Sequence, residues 1–272
     1  MGMHLTTEGN LWLRRFSAVV AVCTLLLVIA GGLVTSNDAA LSIPDWPLAY
    51  GKLVPPLEGG IRFEFAHRVL AAVVAMLTVA LAICVRRPIA WLAVGAVAAQ
   101  AVLGGLVVKL VDPKALAIAH AALAQLSFGL VVAVNRSLAR QGASDAALRN
   151  RQLGFAALAL FAASILGAAV RHDAIGVIPH IAGAAAATLV VMWTAAQAYT
   201  RHMEEAALRR PAMLLMGLTT VQLVLGIGAY VGRMANAEAP QPMPMMIWFT
   251  VAHVAVGSLV FGTAIAGGMV AA

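Results

Sequence analysis

Glu64-Phe65-Ala66-His67-Arg68 opens a stretch that decides the fold. It continues as Val69-Leu70-Ala71-Ala72-Val73-Val74-Ala75-Met76-Leu77-Thr78-Val79-Ala80-Leu81-Ala82-Ile83-Cys84-Val85, with no charge until Arg86-Arg87-Pro88. A membrane helix needs about 20 mostly apolar residues. This stretch has that length, with charges at both ends. Working outward, similar runs cover 15–35, 64–85, 89–110, 115–135, 152–171, 176–198, 211–231 and 246–269. All are rich in Ala, Val and Leu with interspersed Gly, which suits close helix packing in lipid. Only helices or closed barrels satisfy the backbone in a bilayer, and these runs are too long for barrel strands. The expected fold is all-α: a polytopic membrane protein of eight transmembrane helices.

Composition agrees. Of 272 residues, 62% are hydrophobic and 11% charged, and the mean hydropathy is +0.93. A soluble domain carries about a quarter charged residues. So few charges exclude a soluble enzyme, a disordered tail and a nucleic-acid binder. The net charge of +7 is spread through short links rather than gathered into a phosphate-tracking patch. Cys23 and Cys84 both lie inside apolar runs and form no disulfide or metal pattern.

Charge also orients the chain. With the N-terminus in the cytoplasm, that side holds Arg14, Arg15, Arg86, Arg87, Arg136, Arg140, Arg149, Arg151, Arg201, Arg209 and Arg210. Against them stand Glu8, Asp145, Glu204 and Glu205. The outer side is balanced, so the whole +7 excess is cytoplasmic, as the positive-inside tendency requires. Both termini are then expected in the cytoplasm. The first run also resembles a secretory signal behind Arg14-Arg15. It is long for that, and no small-x-small cleavage site follows, so it is expected to stay as a span. The absence of an Arg- and Ser-rich transit peptide points to a plasma membrane.

The chain reads as two halves of four spans, 1–140 and 141–272, that is, two pseudo-symmetric four-helix bundles. Gln100-Ala101-Val102-Leu103-Gly104 in the third span matches Gln222-Leu223-Val224-Leu225-Gly226 in the seventh. Gly31, Gly32 and Gly167 lie near the outer ends of the first and fifth. His67, His120, His180 and His253 each fall in the first two turns of an even-numbered span. His4, His172 and His202 fall in tails or links and read as solvated.

An ionisable group in a span is a functional candidate by default. Two histidines on facing helices of a four-helix unit can supply trans axial ligands to a haem iron. Their separation, from 67 to 120 and from 180 to 253, excludes a local zinc motif. Ala66, Gly183 and Gly257 beside them are expected to leave room for a flat macrocycle. The competing readings are four packing histidines and a proton relay.

Glu64 is three residues before His67 and shares its helix face. A carboxylate there can accept a proton or stabilise a developing cation at a porphyrin edge. It can equally pair with Arg62 or Arg68. Val177 stands at the corresponding place before His180, so the two halves are chemically unequal. The acid-bearing half is expected to do the chemistry and the other to hold a redox partner. The first outer loop, Thr35 to Lys52, is rich in Pro, Asp, Trp and Gly and is expected to form a structured cap.

Gly31-Gly32-Leu33-Val34, Pro44-Asp45-Trp46-Pro47-Leu48-Ala49-Tyr50-Gly51, Glu64-x-x-His67-Arg68 and Leu103-Gly104-Gly105-Leu106 together resemble the haem A synthase family. The resemblance implies a membrane oxidoreductase that converts a methyl group of haem O to a formyl group in two steps, giving haem A for terminal oxidases. It implies that His67 and His120 flank the substrate haem O, with Glu64 as the catalytic acid/base or cation-stabilising group. It implies that His180 and His253 ligate a prosthetic haem b. The implied partners are haem O, the haem O-producing enzyme, an electron acceptor such as quinone, and membrane lipid. Many bacterial members carry a cysteine pair in the first loop. Ile43 and Ala49 stand there here, so no thiol step or loop disulfide is available. Arg62, Lys109, Lys114, Arg171 and Arg233 are candidates for the haem propionates. The alternative functions are a non-catalytic di-haem b cytochrome exchanging electrons with quinone, and a transporter or assembly scaffold.

Overall fold

The structure is a computed structural model that describes residues 7–139, 151–201, 206–235 and 243–270. Among the described residues it is all-helical: α1 Thr7–Ser36, α2 Ile61–Val85, α3 Pro88–Lys109, α4 Lys114–Ala139, α5 Arg151–Arg171, α6 Val177–Arg201, α7 Ala206–Ala235 and α8 Pro244–Val270. All eight contain a stretch long and apolar enough to cross a membrane. The expected boundary at 140–141, the charges Arg140, Asp145, Arg149, Glu204 and Glu205, and His4 and His202 lie outside the described residues.

Local sequence explains several helix ends. Arg86 adopts a left-handed conformation (φ 54°, ψ 29°) and closes α2 by donating its N–H to Ala82 O. Arg87 is extended (φ −104°, ψ 146°) and Pro88 starts α3. Proline fits the first helical turn because its missing N–H has no partner there anyway. Helices α1 and α7 start earlier than their apolar runs, at Thr7 rather than 15 and at Ala206 rather than 211. Polar residues continue these helices past the apolar run.

Helices α1 to α4 pack in a closed ring, each on its chain neighbour and α4 back on α1. Helices α5 to α8 close a second ring in the same way, and the rings meet through α4·α8, α1·α8 and α4·α5. Ties at both ends fix the up-and-down arrangement. At one end Asn135 Nδ2 donates to Arg14 O (2.9 Å) and Ser17 Oγ (2.8 Å), joining the start of α1 to the end of α4. At the other, Arg171 Nη2 donates to Thr35 O (2.6 Å) and Lys114 Nζ to Asp173 O (2.7 Å), joining the two rings.

The buried apolar clusters sit away from the histidines. In the first ring, Leu13, Val20, Leu81, Val131 and Val134 pack together; in the second, Leu153, Val191, Leu215 and Val260 do so. Each cluster joins the starts of odd helices to the ends of even ones. The opposite end, where even helices begin, is left for the polar site. Buried threonine hydroxyls bond within their own helices, as in Thr24 to Val20 O (2.8 Å) and Thr219 to Leu215 O (2.7 Å), whereas Ser36 Oγ at the end of α1 has no partner among the described residues.

The rings interlock reciprocally. A Cβ on Gly129 of α4 would come within 2.6 Å of Ile265 Cδ1 and 2.9 Å of Phe261 Cε1 on α8. A Cβ on Gly262 of α8 would come within 2.8 Å of Phe128 Cε1 on α4. Each phenylalanine thus fills the space left by the other helix's glycine. Close contact of this kind drives helix association in lipid, where apolar burial alone does not. Gly129→Val is expected to destabilise the protein by about 1–3 kcal/mol, the usual cost of overpacking, lowering Tm in detergent. An unchanged Tm would show that the interlock contributes nothing.

Candidate functional site

The four histidines of the spans share one packing arrangement. Each leans against a glycine of the preceding helix: His67 on Gly31, His120 on Gly104, His180 on Gly167 and His253 on Gly226. A Cβ on those glycines would approach the imidazole Cε1 to 3.3, 3.2, 3.0 and 2.8 Å respectively. The glycines therefore let the ring sit against bare backbone. The carbonyl one turn earlier faces the ring in each case: Leu27, Gln100, Ala163 and Gln222. For His253 the bond is closed, with Nδ1 3.1 Å from Gln222 O. In the other three Nδ1 is sealed without a hydrogen-bond partner. Gly183 and Gly257 do not have the expected role. A Cβ on Gly183 would meet Leu166 and one on Gly257 would meet Gln222, whereas Ala66 is exposed.

The His253 contacts fix its tautomer. A carbonyl only accepts, so Nδ1 carries the proton and Nε2 the lone pair. The Gln222 amide Nε2 lies 3.1 Å from that Nε2 and donates to it. A metal-ligating histidine commonly gives its other N–H to a backbone carbonyl in just this way. His180 and His253 have ring centroids 6.4 Å apart with planes at 89°. Two imidazole nitrogens bound trans to one metal at about 2 Å each stand about 4 Å apart, and their ring centres lie somewhat further. A separation of this size would let both rings of the second pair ligate one metal ion. All four rings are half-buried. His120 acts electrostatically on His67, as His180 does on His253, so the nearest interactions run within each ring of helices.

Glu64 is 4% exposed, and both its oxygens are engaged. Oε1 accepts from Arg68 Nη2 at 2.5 Å and Oε2 from the backbone N–H of Ile43 at 2.8 Å. Arg62 instead lies over the Phe63 ring, 4.8 Å from its centroid. Arg68 does more than pair with Glu64. Its Nη1 donates to Asp45 O (2.8 Å) and Leu48 O (3.0 Å), and its Nη2 to Ile43 O (3.2 Å). One guanidinium thus gathers three loop carbonyls onto the start of α2.

The loop is a built cap. Asp45 accepts from Tyr50 N–H (2.6 Å) and Gly51 N–H (2.7 Å), and Tyr50 Oη donates to Ser42 O (2.5 Å). Gly51 has φ +70°, a conformation that glycine adopts freely. Ile43 and Ala49, at 0% and 3% exposure, are sealed beneath the loop. Trp46 reaches across to α3, where a Cβ on Gly105 would come within 2.8 Å of its Cδ2. Gly105 adjoins Gly104, the seat of His120, so the indole and that imidazole pack against neighbouring residues of α3. Lys109 Nζ sits 6.0 Å from that ring centroid.

Three of the suggested propionate ligands make ties at this end: Lys114 and Arg171 as above, and Arg233 Nη2 to Asp173 Oδ1 (3.4 Å). His172 corrects the sequence reading. It is half-buried rather than solvated, and burial holds its imidazole below the ordinary value, with Asp112 opposing. It also acts on His120. The free cysteines Cys23 and Cys84 lie away from the cap.

With this geometry in view, similarity to known proteins is informative. The family described as cytochrome oxidase assembly protein (COX15-CtaA) matches residues 14–62, which hold α1 and the cap. Over part of its length the chain is similar to haem A synthases. Heme A synthase of Symbiobacterium thermophilum is 40% identical over 62 residues, covering 23% of this chain and 20% of that protein. Heme A synthase of Methylobacterium sp. (strain 4-46) is 32% identical over 144 residues, covering 44% and 40%. Protoheme IX farnesyltransferase of Haloarcula marismortui is 36% identical over 137 residues, covering 47% and 29%. The matches thus span between a fifth and two fifths of these relatives' lengths.

The backbone N–H groups of Gly51 and Tyr50 hold the Asp45 carboxyl below the usual carboxylate range. The cap is therefore intact above the ordinary carboxylate pKa of about 4. It loosens as pH falls through the depressed value and Asp45 takes up a proton. Trp46 emission, isolated by subtracting a Trp46→Phe variant, is expected to change cooperatively below about pH 4. Asp45→Asn is expected to show the loosened signal already at neutral pH. A flat acid titration would remove Asp45 from this role.

Proposed function

We propose that this chain is a haem A synthase, oxidising a methyl group of haem O to a formyl group in two steps. The observation that carries this reading is the buried acid beside one histidine pair only. Glu64 is sealed one turn before His67, whereas Val177 stands before His180. Similarity to haem A synthases supports the same substrate.

In this reading His67 and His120 bracket the substrate haem O, and the cap closes over it. Trp46, laid on Gly105 beside the His120 seat, keeps water from the reacting edge. Glu64, whose two oxygens accept from Arg68 and the Ile43 N–H, would as a carboxylate stabilise positive charge developing at the oxidised carbon. A carboxylate keeps further lone pairs for a proton. His180 and His253 hold a haem b, which supplies one-electron transfer when bound. The Gln222 carbonyl keeps His253 in the tautomer whose Nε2 carries the lone pair, which would be free for a metal once the Gln222 amide that now occupies it turned away.

The chain sits in a plasma membrane with both termini cytoplasmic and the histidines toward the outer face. Charge supports this: the described acidic side chains cluster at the histidine end, and arginines dominate the other. Its partners are an electron acceptor such as a quinone, and the enzyme that makes haem O. The latter is supported by similarity to a protein named for farnesyl transfer to protohaem IX.

Mass analysis of extracted pigment tests the proposal. Protein made with a haem O supply is expected to contain formylated haem. Glu64→Gln is expected to keep its haem but lower formyl yield by about a hundredfold, the scale of a positioned acid–base group. His253→Ala is expected to lose the visible absorption of one haem. Unmodified haem b alone, despite haem O supply, would favour an electron-carrying di-haem cytochrome. Normal haem A from Glu64→Gln would leave Glu64 a purely structural residue.

A further inference from the structure

The end of the molecule opposite the histidines holds a second unexplained polar feature. Arg136 lies in the last turn of α4 and is half-buried. Among the described residues it has neither an acidic partner nor a hydrogen-bond acceptor, and its Nε is sealed from solvent. A desolvated charge is costly unless it is paired.

Its neighbours increase the demand for an anion. The Arg14 guanidinium is close enough to act on it. Asn135, adjacent in sequence, binds Arg14 O at 2.9 Å. Arg87 donates to Ser137 O on the other side of Arg136 in the chain. Neutral contacts therefore bring three cations from α1, α3 and α4 to one corner. The acidic residues whose side chains are described, Asp38, Asp45, Glu58, Glu64, Asp112 and Asp173, all lie at the histidine end.

The depth of the corner points to the kind of anion that suits it. Trp12 and Trp91, 56% and 50% exposed, stand within one turn of Arg14 and Arg87. Exposed tryptophan at a span end marks the level of the lipid headgroups. Guanidinium groups bind phosphate oxygens in a fork that suits a shared headgroup. We propose that Arg136, Arg14 and Arg87 form a binding site for the phosphate of an anionic phospholipid, seated where the first ring of helices meets the membrane surface. The bound lipid neutralises the arginine cluster and ties α1, α3 and α4 together.

The test follows thermal unfolding of the full chain in neutral detergent. Short-chain phosphatidylglycerol, short-chain phosphatidylcholine and inorganic phosphate are titrated in turn. The midpoint is expected to rise saturably with phosphatidylglycerol and not with the other two. Arg136→Gln and Arg14→Gln are each expected to raise the half-saturating concentration by at least about fivefold, the effect of one cation at a membrane surface. Arg210→Gln, an exposed arginine at the same end, is expected to leave it unchanged. An equal response to inorganic phosphate would overturn the lipid assignment in favour of a free anion. An equal loss in Arg210→Gln would overturn the site in favour of diffuse surface charge. If Arg136→Gln does not fold, Arg14→Gln, at an exposed position, decides the matter alone.

Discussion

An imidazole can lie flat against a helix backbone only where the facing residue has no side chain. That constraint is met four times here, at Gly31, Gly104, Gly167 and Gly226. It sets how closely α1 approaches α2, α3 approaches α4, and each later pair its partner. It also settles which ring nitrogen turns toward the helix: where the bond closes, at His253, Nδ1 is committed to the Gln222 carbonyl. The apolar clusters at the far end hold the helices so that these four contacts lie at one level. The rest of the polar end is arranged around them.

The two histidine pairs share this framework but not their surroundings. The first is roofed by a loop that Arg68 and Asp45 hold together, with a buried carboxylate beneath it. Among the described residues the second has no such roof, and the Gln222 amide touches its His253 ring. Gln100 and Gln222 occupy the same motif yet make different contacts. Gln100 donates to the His120 backbone carbonyl at 2.9 Å, while Gln222 reaches the His253 ring itself.

Much of the fold is legible in the sequence because lipid leaves few choices. Apolar runs of about 20 residues can be little other than helices, and the expected spans coincide with α1 to α8 except at the polar starts of α1 and α7. Single histidines in otherwise apolar helices also stand out in a bare sequence. Their glycine seats do not. Gly31 and Gly104 are two among 24 glycines, and only the helix pairing shows which of them face a ring. Gly183 and Gly257 are misread for the same reason: proximity in sequence is not proximity across a helix interface. The Arg68 contacts leave no sequence pattern, because they end on backbone carbonyls. His172 reads as solvated since nothing local shows that the end of α5 is covered. The Phe-Gly dipeptides at 128–129 and 261–262 are a signal that was available. Each follows its helix's histidine by the same interval.

The cap has a further consequence for how the protein matures. Its closure depends on one guanidinium, a carboxylate and two sealed aliphatic side chains, all from a single short segment of chain. No covalent bond has to form after synthesis, and no oxidising enzyme has to act on it. The roof over the first pair can therefore assemble as soon as the second helix enters the bilayer, in any cell, whatever that cell's capacity for thiol oxidation.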